Sequence, residues 1–180
     1  MKTGTTIGLG GGCHWCTEAV VKALRGVLSV DQGFIASVPP DDAFSEAVRV
    51  TFDEAELPLG VLLEVHARTH ASQSQHSMRD RYRSAVYARD RVMASRCRRL
   101  LAGISPLFER PLIISVLPLV AFEASPERFR DYYERRPDAP FCTRHIAPKL
   151  RLLQRRFPDR LHSCGATGDP HRISRSVQPR

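Results

Sequence analysis

Hydrophobic and polar residues recur along the chain in short segments that predict alternating strands and helices. Apolar or alternating runs predict four strands, at "TTIGLG", "VLSVDQGF", "EAVRVTFD" and "RSAVYA". Helical spacing predicts helices at residues 14–24, in "LPLGVLLEVHARTH" and in "DRVMASRCRRLLAGI". In the last of these we expect Val92, Met93 and Leu100 to face the core.

The C-terminal half continues with three further predicted elements. The apolar run "PLIISVLPLVAF" predicts one long strand, whose internal proline indicates a sheet edge or a bulge. A helix is predicted in "SPERFRDYYERR", with Ser125 as its N-cap and Pro126 at its first position. The run "APKLRLLQRRF" predicts a last helix.

The order of these elements indicates the fold class. Strand, helix, two strands, helix and strand, followed by further elements, predict an α/β (α+β) protein: a two-layer mixed β-sheet with flanking helices, of ferredoxin-like type. We expect one domain over residues 1–161. The segment 162–180 has no apolar periodicity, and its composition predicts a basic, disordered tail.

Composition narrows the class of protein. The 180 residues are 42% hydrophobic and 26% charged, with neither an apolar run of about 20 residues nor a signal segment, so we expect a cytoplasmic protein without membrane spans. The formal net charge is +8, of which +7 lies from Arg144 onward. Because no basic surface is interleaved with aromatic residues, a nucleic-acid partner is not expected.

The chemistry concentrates in "GLGGGCHWC". Cys13 follows three glycines at the predicted start of a helix, where backbone N–H groups and the helix dipole favour the thiolate. Cys16 lies one helical turn further on and could form a disulfide with an oxidised Cys13. His14 and Trp15, the only tryptophan, would line the thiol.

Other interpretations of the cysteines and histidines remain open from the residues alone. Cys13 and Cys16 could form half of a zinc site with two histidines, or a buried inert pair. His66 and His70 are four positions apart on one predicted helix, which we interpret as a helix-surface pair in preference to metal ligands. Cys97, inside a predicted helix, is interpreted as inert packing.

The chain resembles the peptide methionine sulfoxide reductase A family over roughly residues 6–157. "GLGGGCHWCTEAVVKALRGVLSVDQGF" is similar to the family signature, a glycine-rich strand end with Gly-Cys-Phe-Trp and then Glu and "GV.SV..GY". "EAVRVTFDEAELPLGVLLEVHARTH" resembles "EAV.V.YDP....Y..LL..F...H", and "RYRSAVY" resembles "QYRSAIY". "RRPDAPFCTRHIAPKL" resembles "NP..PYC...I.PKL".

The resemblance implies a mechanism without a metal or organic cofactor. Cys13 would attack the sulfur of methionine S-sulfoxide, free or in peptides, and become a sulfenic acid. Cys16 would then form a disulfide with Cys13 that thioredoxin or another dithiol reduces. Glu46 would be the proton donor, assisted by the hydroxyl of Tyr82. By position alone, Glu46 would be a solvated strand end and Tyr82 a core or edge aromatic.

The resemblance also implies a substrate pocket formed by His14, Trp15 and Phe34, in a monomer. Three departures from the family pattern lie near it. His14 stands where the family has Phe, Phe34 stands where it has Tyr, and Ser77 stands where it has Asp. An alternative function is therefore a divergent member with little catalysis that acts as a binding or redox-sensing protein. A small zinc-binding module is a third class.

Two further cysteines are candidates for the redox cycle. Cys142 matches a cysteine found in short family members, which makes it a candidate second resolving thiol, with a buried structural cysteine as the alternative. Cys164 lies in the tail, where it could shuttle disulfides.

Overall fold

The computed structural model describes residues 4–75 and 77–162, so Cys164 and all but the first residue of the tail lie outside the described residues. Within them the predicted order of strands and helices is present from β1 to α3. The elements are β1 Thr5–Gly10, α1 His14–Lys22, β2 Val27–Ala36, β3 Ser45–Phe52, α2 Leu59–Thr69, β4 Ala85–Ala88, α3 Arg91–Ile104, β5 Ser115–Pro118, β6 Ala121–Ala124, α4 Tyr132–Arg135 and α5 Ala147–Arg156. No helix in this part of the chain is long and apolar enough to cross a membrane.

The sheet confirms the predicted ferredoxin-like class. Its strand order is β5-β4-β1-β3-β2-β6, and the four inner strands β4-β1-β3-β2 pair antiparallel throughout. β4 and β5 pair in parallel, so the sheet is mixed. The main hydrophobic core lies between one face of this sheet and the helices, and includes Val48, Val50 and Phe52 of β3.

The predicted long strand in residues 111–122 is wrong: the segment forms two short strands on opposite edges of the sheet. β5 ends at Pro118, and only Leu119 and Val120 separate it from β6. The Leu119 N–H donates to the Ala88 carbonyl at the end of β4, and the Val120 N–H donates to the Ala36 carbonyl at the end of β2. The sheet therefore curls until its two edges meet at this end.

Helix α3 is present as predicted, but one of its inward residues is wrong. Cys97 and Leu101 are its buried residues, with Met93 and Leu100 packed against the core. Val92 is 73% exposed. It lies about 100° around the helix from Met93, which places it off the apolar stripe.

The predicted helix over residues 125–136 is also wrong. The chain forms a 3₁₀ turn at Glu127–Phe129 and then the single-turn helix α4. Asp131 separates the two in a left-handed conformation (φ 55°), with its N–H donating to the Glu18 carboxylate (3.1 Å) and its own carboxylate bound by Lys22. Ser125 caps nothing and is buried. The last helix is confirmed as α5, directly after a π-helical turn at Cys142–Ile146.

Candidate active site

The glycine-rich loop between β1 and α1 lies against the side chain of His70. Gly11 has φ +155°, and a Cβ at this residue would lie 2.3 Å from the His70 ring. A Cβ on Gly10 would lie 2.8 Å from the Arg83 carbonyl oxygen. The glycines thus allow the close approach that sets the direction from which the chain enters α1.

His66 and His70 support this loop from inside, so the prediction of a helix-surface pair is wrong. Their rings stack at 4.3 Å. His66 Nε2 donates to the Gly10 carbonyl (2.9 Å), His70 Nδ1 donates to the His66 carbonyl (2.6 Å), and His70 Nε2 accepts from the Ser84 hydroxyl (2.8 Å). Burial lowers the pKa of His66 to about 4 and that of His70 well below its ordinary value. Both rings are therefore neutral structural supports.

Cys13 occupies the N-cap position of α1. Its carbonyl accepts from the N–H groups of Cys16 (3.0 Å) and Thr17 (3.3 Å), and its thiol is half-buried. The pKa of Cys13 is lowered, mainly by the hydrogen bond from the Cys16 thiol and also by the backbone N–H of Trp15. Burial and the charge on Glu46 act in the opposite direction. The same hydrogen bond raises the pKa of the buried Cys16 thiol. The hydrogen bond therefore favours the thiolate on Cys13 and the thiol on Cys16.

Glu46 lies beside this helix terminus, not at a solvated strand end. Its side chain is 5% exposed and projects from β3 on the face that carries Val48. Oε2 accepts from the backbone N–H of His14 (3.2 Å). Oε1 accepts from Nε of Arg81 (3.1 Å), and Nη2 of Arg81 is also 3.1 Å away. A carboxylate is thus bound at the helix N-terminus, where unpaired N–H groups favour it.

The first two residues of β3 also position the segment that carries Arg81 and Tyr82. The Glu46 N–H (3.0 Å) and the Ser45 hydroxyl (2.9 Å) both donate to the Arg81 carbonyl. The Arg81 guanidinium lies 5.2 Å from the centre of the half-buried Tyr82 ring. Burial, and then the charge of Glu46, raise the pKa of Tyr82, so its hydroxyl keeps its proton. Sequence reasoning missed Arg81, although it stands where the "QYRSAIY" pattern has Gln.

His14 contacts the site through its backbone and its ring. Nδ1 lies 3.0 Å from the Gly33 carbonyl, which can only accept, so Nδ1 carries a proton. Nε2 lies 3.7 Å from Glu46 Oε2. Phe34 pairs in register with Glu46 on the neighbouring strand, and its ring meets the His14 ring edge-on at 5.3 Å.

Trp15 belongs to an aromatic cluster that sequence reasoning found only in part. Its ring stacks on Tyr132 (4.1 Å, 5° between planes) and meets Phe141 edge-on at 5.5 Å. Tyr132 and Phe141 were both missed. The signal for Phe141 was its place directly before Cys142, where the "PYC" pattern also has an aromatic residue.

The other two described cysteines, Cys142 and Cys97, differ in their relation to the Cys13–Cys16 pair. Cys142 is fully buried in the π-helical turn, close enough for its charge to raise the pKa of Cys16. Burial raises the pKa of Cys142 itself. Cys97 is also fully buried, with a pKa raised by burial to about 11, as suits inert packing. Cys13, Cys16, Cys97 and Cys142 are all free thiols.

Lys149 of α5 is a further residue that the sequence did not single out. Its ammonium group donates to the Thr69 carbonyl at the end of α2. Burial lowers the pKa of Lys149, and negative charge on Cys16 or Cys13 opposes that effect. A cation therefore stands within electrostatic reach of both thiols. Among residues 4–75 and 77–162, no three His, Cys, Asp or Glu side chains are arranged to hold a metal ion.

One protein-family model and several known proteins match most of this chain. The model of the family described as peptide methionine sulfoxide reductase matches residues 5–161. A peptide methionine sulfoxide reductase MsrA of Thermus thermophilus is 32% identical over 163 residues, covering 83% of this chain and 93% of its own. One from Deinococcus radiodurans is 30% identical over 167 residues, covering 84% of this chain and 81% of its own.

Solved structures share the fold at lower sequence identity. Reduced Mxr1 from Saccharomyces cerevisiae aligns with a TM-score of 0.67 at 19% identity, covering 79% of this chain and 91% of its own. Methionine sulfoxide reductase A of Corynebacterium diphtheriae aligns with a TM-score of 0.65 at 20% identity, covering 76% of this chain and 77% of its own. The yeast protein in complex with Trx2 aligns with a TM-score of 0.57 at 16% identity, covering 70% of this chain and 84% of its own.

Proposed function

The chain belongs to the peptide methionine sulfoxide reductase family, and we propose that it reduces methionine S-sulfoxide to methionine with Cys13 as the nucleophile. The observation that carries this proposal is the joint position of Cys13, Cys16 and Glu46 at the N-terminus of α1. A nucleophile, a resolving thiol and an acid meet at one helix end.

The first step is attack of the Cys13 thiolate on the sulfoxide sulfur. A bond forms between the two sulfurs and the oxygen takes up a proton. The hydroxyl then moves to Cys13 as the sulfur–sulfur bond and the substrate's sulfur–oxygen bond break, which leaves a sulfenic acid on Cys13 and releases methionine. Cys13 is oxidised by two electrons as the sulfoxide is reduced by two. The lowered pKa of Cys13 supports this role, because the thiolate is the reactive form.

Glu46 supplies the proton to the sulfoxide oxygen, and Tyr82 assists. Glu46 is buried beside the helix terminus, where a carboxyl group can act on an atom bound to Cys13. Tyr82 keeps its hydroxyl proton and feels the charges of both Glu46 and Cys13. A neutral phenol near a developing charge is a suitable hydrogen-bond donor.

The substrate's methyl group packs against an aromatic surface. Trp15, held by Tyr132 and Phe141, forms one side, and Phe34 with His14 forms the other. An apolar wall with one acid at its edge binds a thioether methyl group and leaves the oxygen to the acid. Phe34 provides the ring but no hydroxyl, which leaves Tyr82 as the phenol of the site.

The second step is attack of Cys16 on the sulfenic acid, which forms the Cys13–Cys16 disulfide and releases water. The thiol hydrogen bond between the two residues supports this pairing. Cys142, buried close to Cys16, is the candidate second resolving thiol, and it would exchange with the first disulfide to form Cys16–Cys142.

A dithiol of the thioredoxin class reduces the resulting disulfide, so that the cycle closes without a metal or organic cofactor. A complex of the yeast relative with Trx2 supports this choice of partner. A cycle that starts from free thiols needs a reducing compartment, which supports a cytoplasmic protein. We propose that the protein acts as a monomer.

A single-turnover assay tests this function. Reduced protein is mixed with methionine S-sulfoxide, and methionine released and thiols lost are counted per chain. We expect about one methionine, two thiols lost, little response to the R epimer, and no methionine from Cys13→Ser. Methionine formation by Cys13→Ser would remove Cys13 as the nucleophile. No methionine from the folded wild-type protein would favour a binding or redox-sensing function instead.

Cys16→Ser is the matched control for the disulfide step. This variant should still release about one methionine per chain, because the first step needs only Cys13, but recycling by thioredoxin should fail. Undiminished multiple turnover would show that another thiol, with Cys142 as the candidate, resolves the sulfenic acid. Labelling of the sulfenic acid in Cys16→Ser separates these outcomes.

A further inference from the structure

Arg81 occupies a position from which it can recognise part of the substrate. Its guanidinium is 66% exposed, yet two of its nitrogens lie 3.1 Å from Oε1 of the buried Glu46. A guanidinium has five N–H donors, of which Arg81 directs two at Glu46, and its side chain is also hydrogen-bonded to that of Tyr82. The neighbouring Arg83 is instead engaged, with Asp41 (2.9 Å) and the Ala43 carbonyl. Arg81 therefore keeps N–H donors that can bind a further anion on the exposed side of Glu46.

The two partners of the Glu46 carboxyl differ in how easily they can move away. Oε2 is held by a backbone N–H in the first turn of α1, and Oε1 is held by Arg81. A helix N–H cannot move away without unwinding the helix, whereas an exposed arginine side chain can rotate. Protonation of Glu46 replaces the ion pair by a weaker hydrogen bond from Arg81 to a neutral carboxyl group, which frees the guanidinium to turn toward another anion.

Resting on the reductase function proposed above, we propose that Arg81 is a specificity-determining residue that binds the α-carboxylate of methionine sulfoxide. Four bonds separate the sulfoxide sulfur from the carboxyl carbon, a span of about 5 Å. With the sulfoxide oxygen at Glu46, the carboxylate then lies within reach of the guanidinium. The planar guanidinium matches a carboxylate with paired hydrogen bonds. The substrate's carboxylate thus replaces Glu46 as the partner of Arg81.

The preferred substrates are therefore free methionine S-sulfoxide and a C-terminal methionine S-sulfoxide, since both carry this carboxylate. A residue within a peptide has an amide there, which cannot form the ion pair. These two substrates differ in the amino group, which is charged in the free amino acid and part of an amide in a C-terminal residue. Comparison of free methionine S-sulfoxide with its Nα-acetyl derivative separates them, because only the derivative lacks the charged amino group.

The test compares Nα-acetyl-methionine S-sulfoxide with its N-methylamide as substrates. We expect kcat/KM of the wild type to be about tenfold higher for the acid, and this ratio to fall to about one in Arg81→Gln. Arg81→Lys should give an intermediate ratio. Arg99→Gln, which removes the same charge from an exposed position on α3, should keep the wild-type ratio. The ratio is decisive because losing the Glu46 partner affects both substrates alike.

A ratio near one in the wild type, or a ratio kept in Arg81→Gln, would overturn the role of Arg81. Methionine from neither substrate in the wild type would instead contradict the reductase function. If Arg81→Gln turns over neither substrate, the affinities for the acid and the amide test the role of Arg81 instead. Trp15 is the only tryptophan, so its fluorescence reports binding in Cys13→Ser, which cannot turn over. The acid should bind about tenfold more tightly than the amide there, and equally in Cys13→Ser with Arg81→Gln.

Discussion

Two buried glutamates lie along α1, and their surroundings differ. Glu46, 5% exposed, lies at the helix N-terminus beside Cys13 and pairs with the exposed Arg81. Glu18, 3% exposed, lies on the helix itself and accepts from Gln32 Nε2 (3.0 Å) and the Asp131 N–H. Near-equal burial thus accompanies the Cys13 thiol in one case and a hydrogen-bond network in the other.

The Glu18 network also lines a separate cleft. This cleft has a volume of about 240 Å³ and is lined by Glu18, Lys22, Asp131 and Glu134, among other residues, but by no cysteine. Burial raises the pKa of Glu18 to about 7, a value typical of a general acid or base. The comparison teaches that burial and a shifted pKa do not assign catalysis, because a general acid must also reach the reacting atom.

Removing each carboxyl in turn is the strongest test of this comparison. Glu46→Gln should lower kcat for methionine S-sulfoxide about 100-fold, since the amide has no proton of suitable acidity to donate. Glu18→Gln, the matched control, should stay within about twofold of the wild type in the same assay. Equal losses of kcat in the two variants would show that both buried carboxyl groups only stabilise the structure and that Glu46 is not the proton donor.

The pH dependence of stability, unlike kcat, should change on replacement of Glu18. The folded protein holds the Glu18 proton up to a pKa of about 7, against 4.5 ordinarily. Between these pH values the unfolded chain loses this proton first, so the contribution of Glu18 to the free energy of unfolding falls as pH rises. Because Gln does not titrate, the stability of Glu18→Gln relative to the wild type should rise by up to about 3 kcal/mol from pH 4.5 to pH 8.

Urea unfolding of both proteins at several pH values measures this difference. His66 and His70, whose lowered pKa values remove stability as the pH falls below 6.5, are present in both proteins and cancel in the comparison. A difference that does not change with pH would contradict the assignment of the buried proton to Glu18.

The smallest expected effect concerns the contact of His14 with Glu46. His14→Phe restores the ring that the family pattern has, but it removes the donor to the Gly33 carbonyl and the nitrogen 3.7 Å from Glu46. We expect kcat to fall about fivefold, because the Gly33 carbonyl loses this donor and Glu46 loses a neighbour. An increase in kcat would show that His14 is only a poorer surface for the methyl group.

A double-mutant cycle sharpens this result. If His14 acts through Glu46, then His14→Phe should have little further effect in the Glu46→Gln background. Independent effects would assign His14 to substrate packing alone.

The fold was largely predictable because its signals are local. The four inner strands and α1, α2, α3 and α5 each carry a periodicity set by neighbouring residues. The long apolar run in 111–122 was misread, because two short half-buried strands on opposite edges of a curled sheet produce the same hydrophobic pattern as one continuous strand. The helix expected at 125–136 was misread because Asp131 is bound by Glu18 and Lys22, distant in sequence.

The sequence by itself determined the Cys13–Cys16 pair at the start of a helix, the aromatic beside it, and membership of a reductase pattern. These depend on residues a few positions apart, whose geometry one helical turn specifies. Only the tertiary structure decided that Glu46 is buried beside Cys13, that Arg81 covers it, and that His66 and His70 support the loop from inside. Each of these contacts joins segments dozens of residues apart, and burial, charge pairing and pKa depend on which segments the fold brings together.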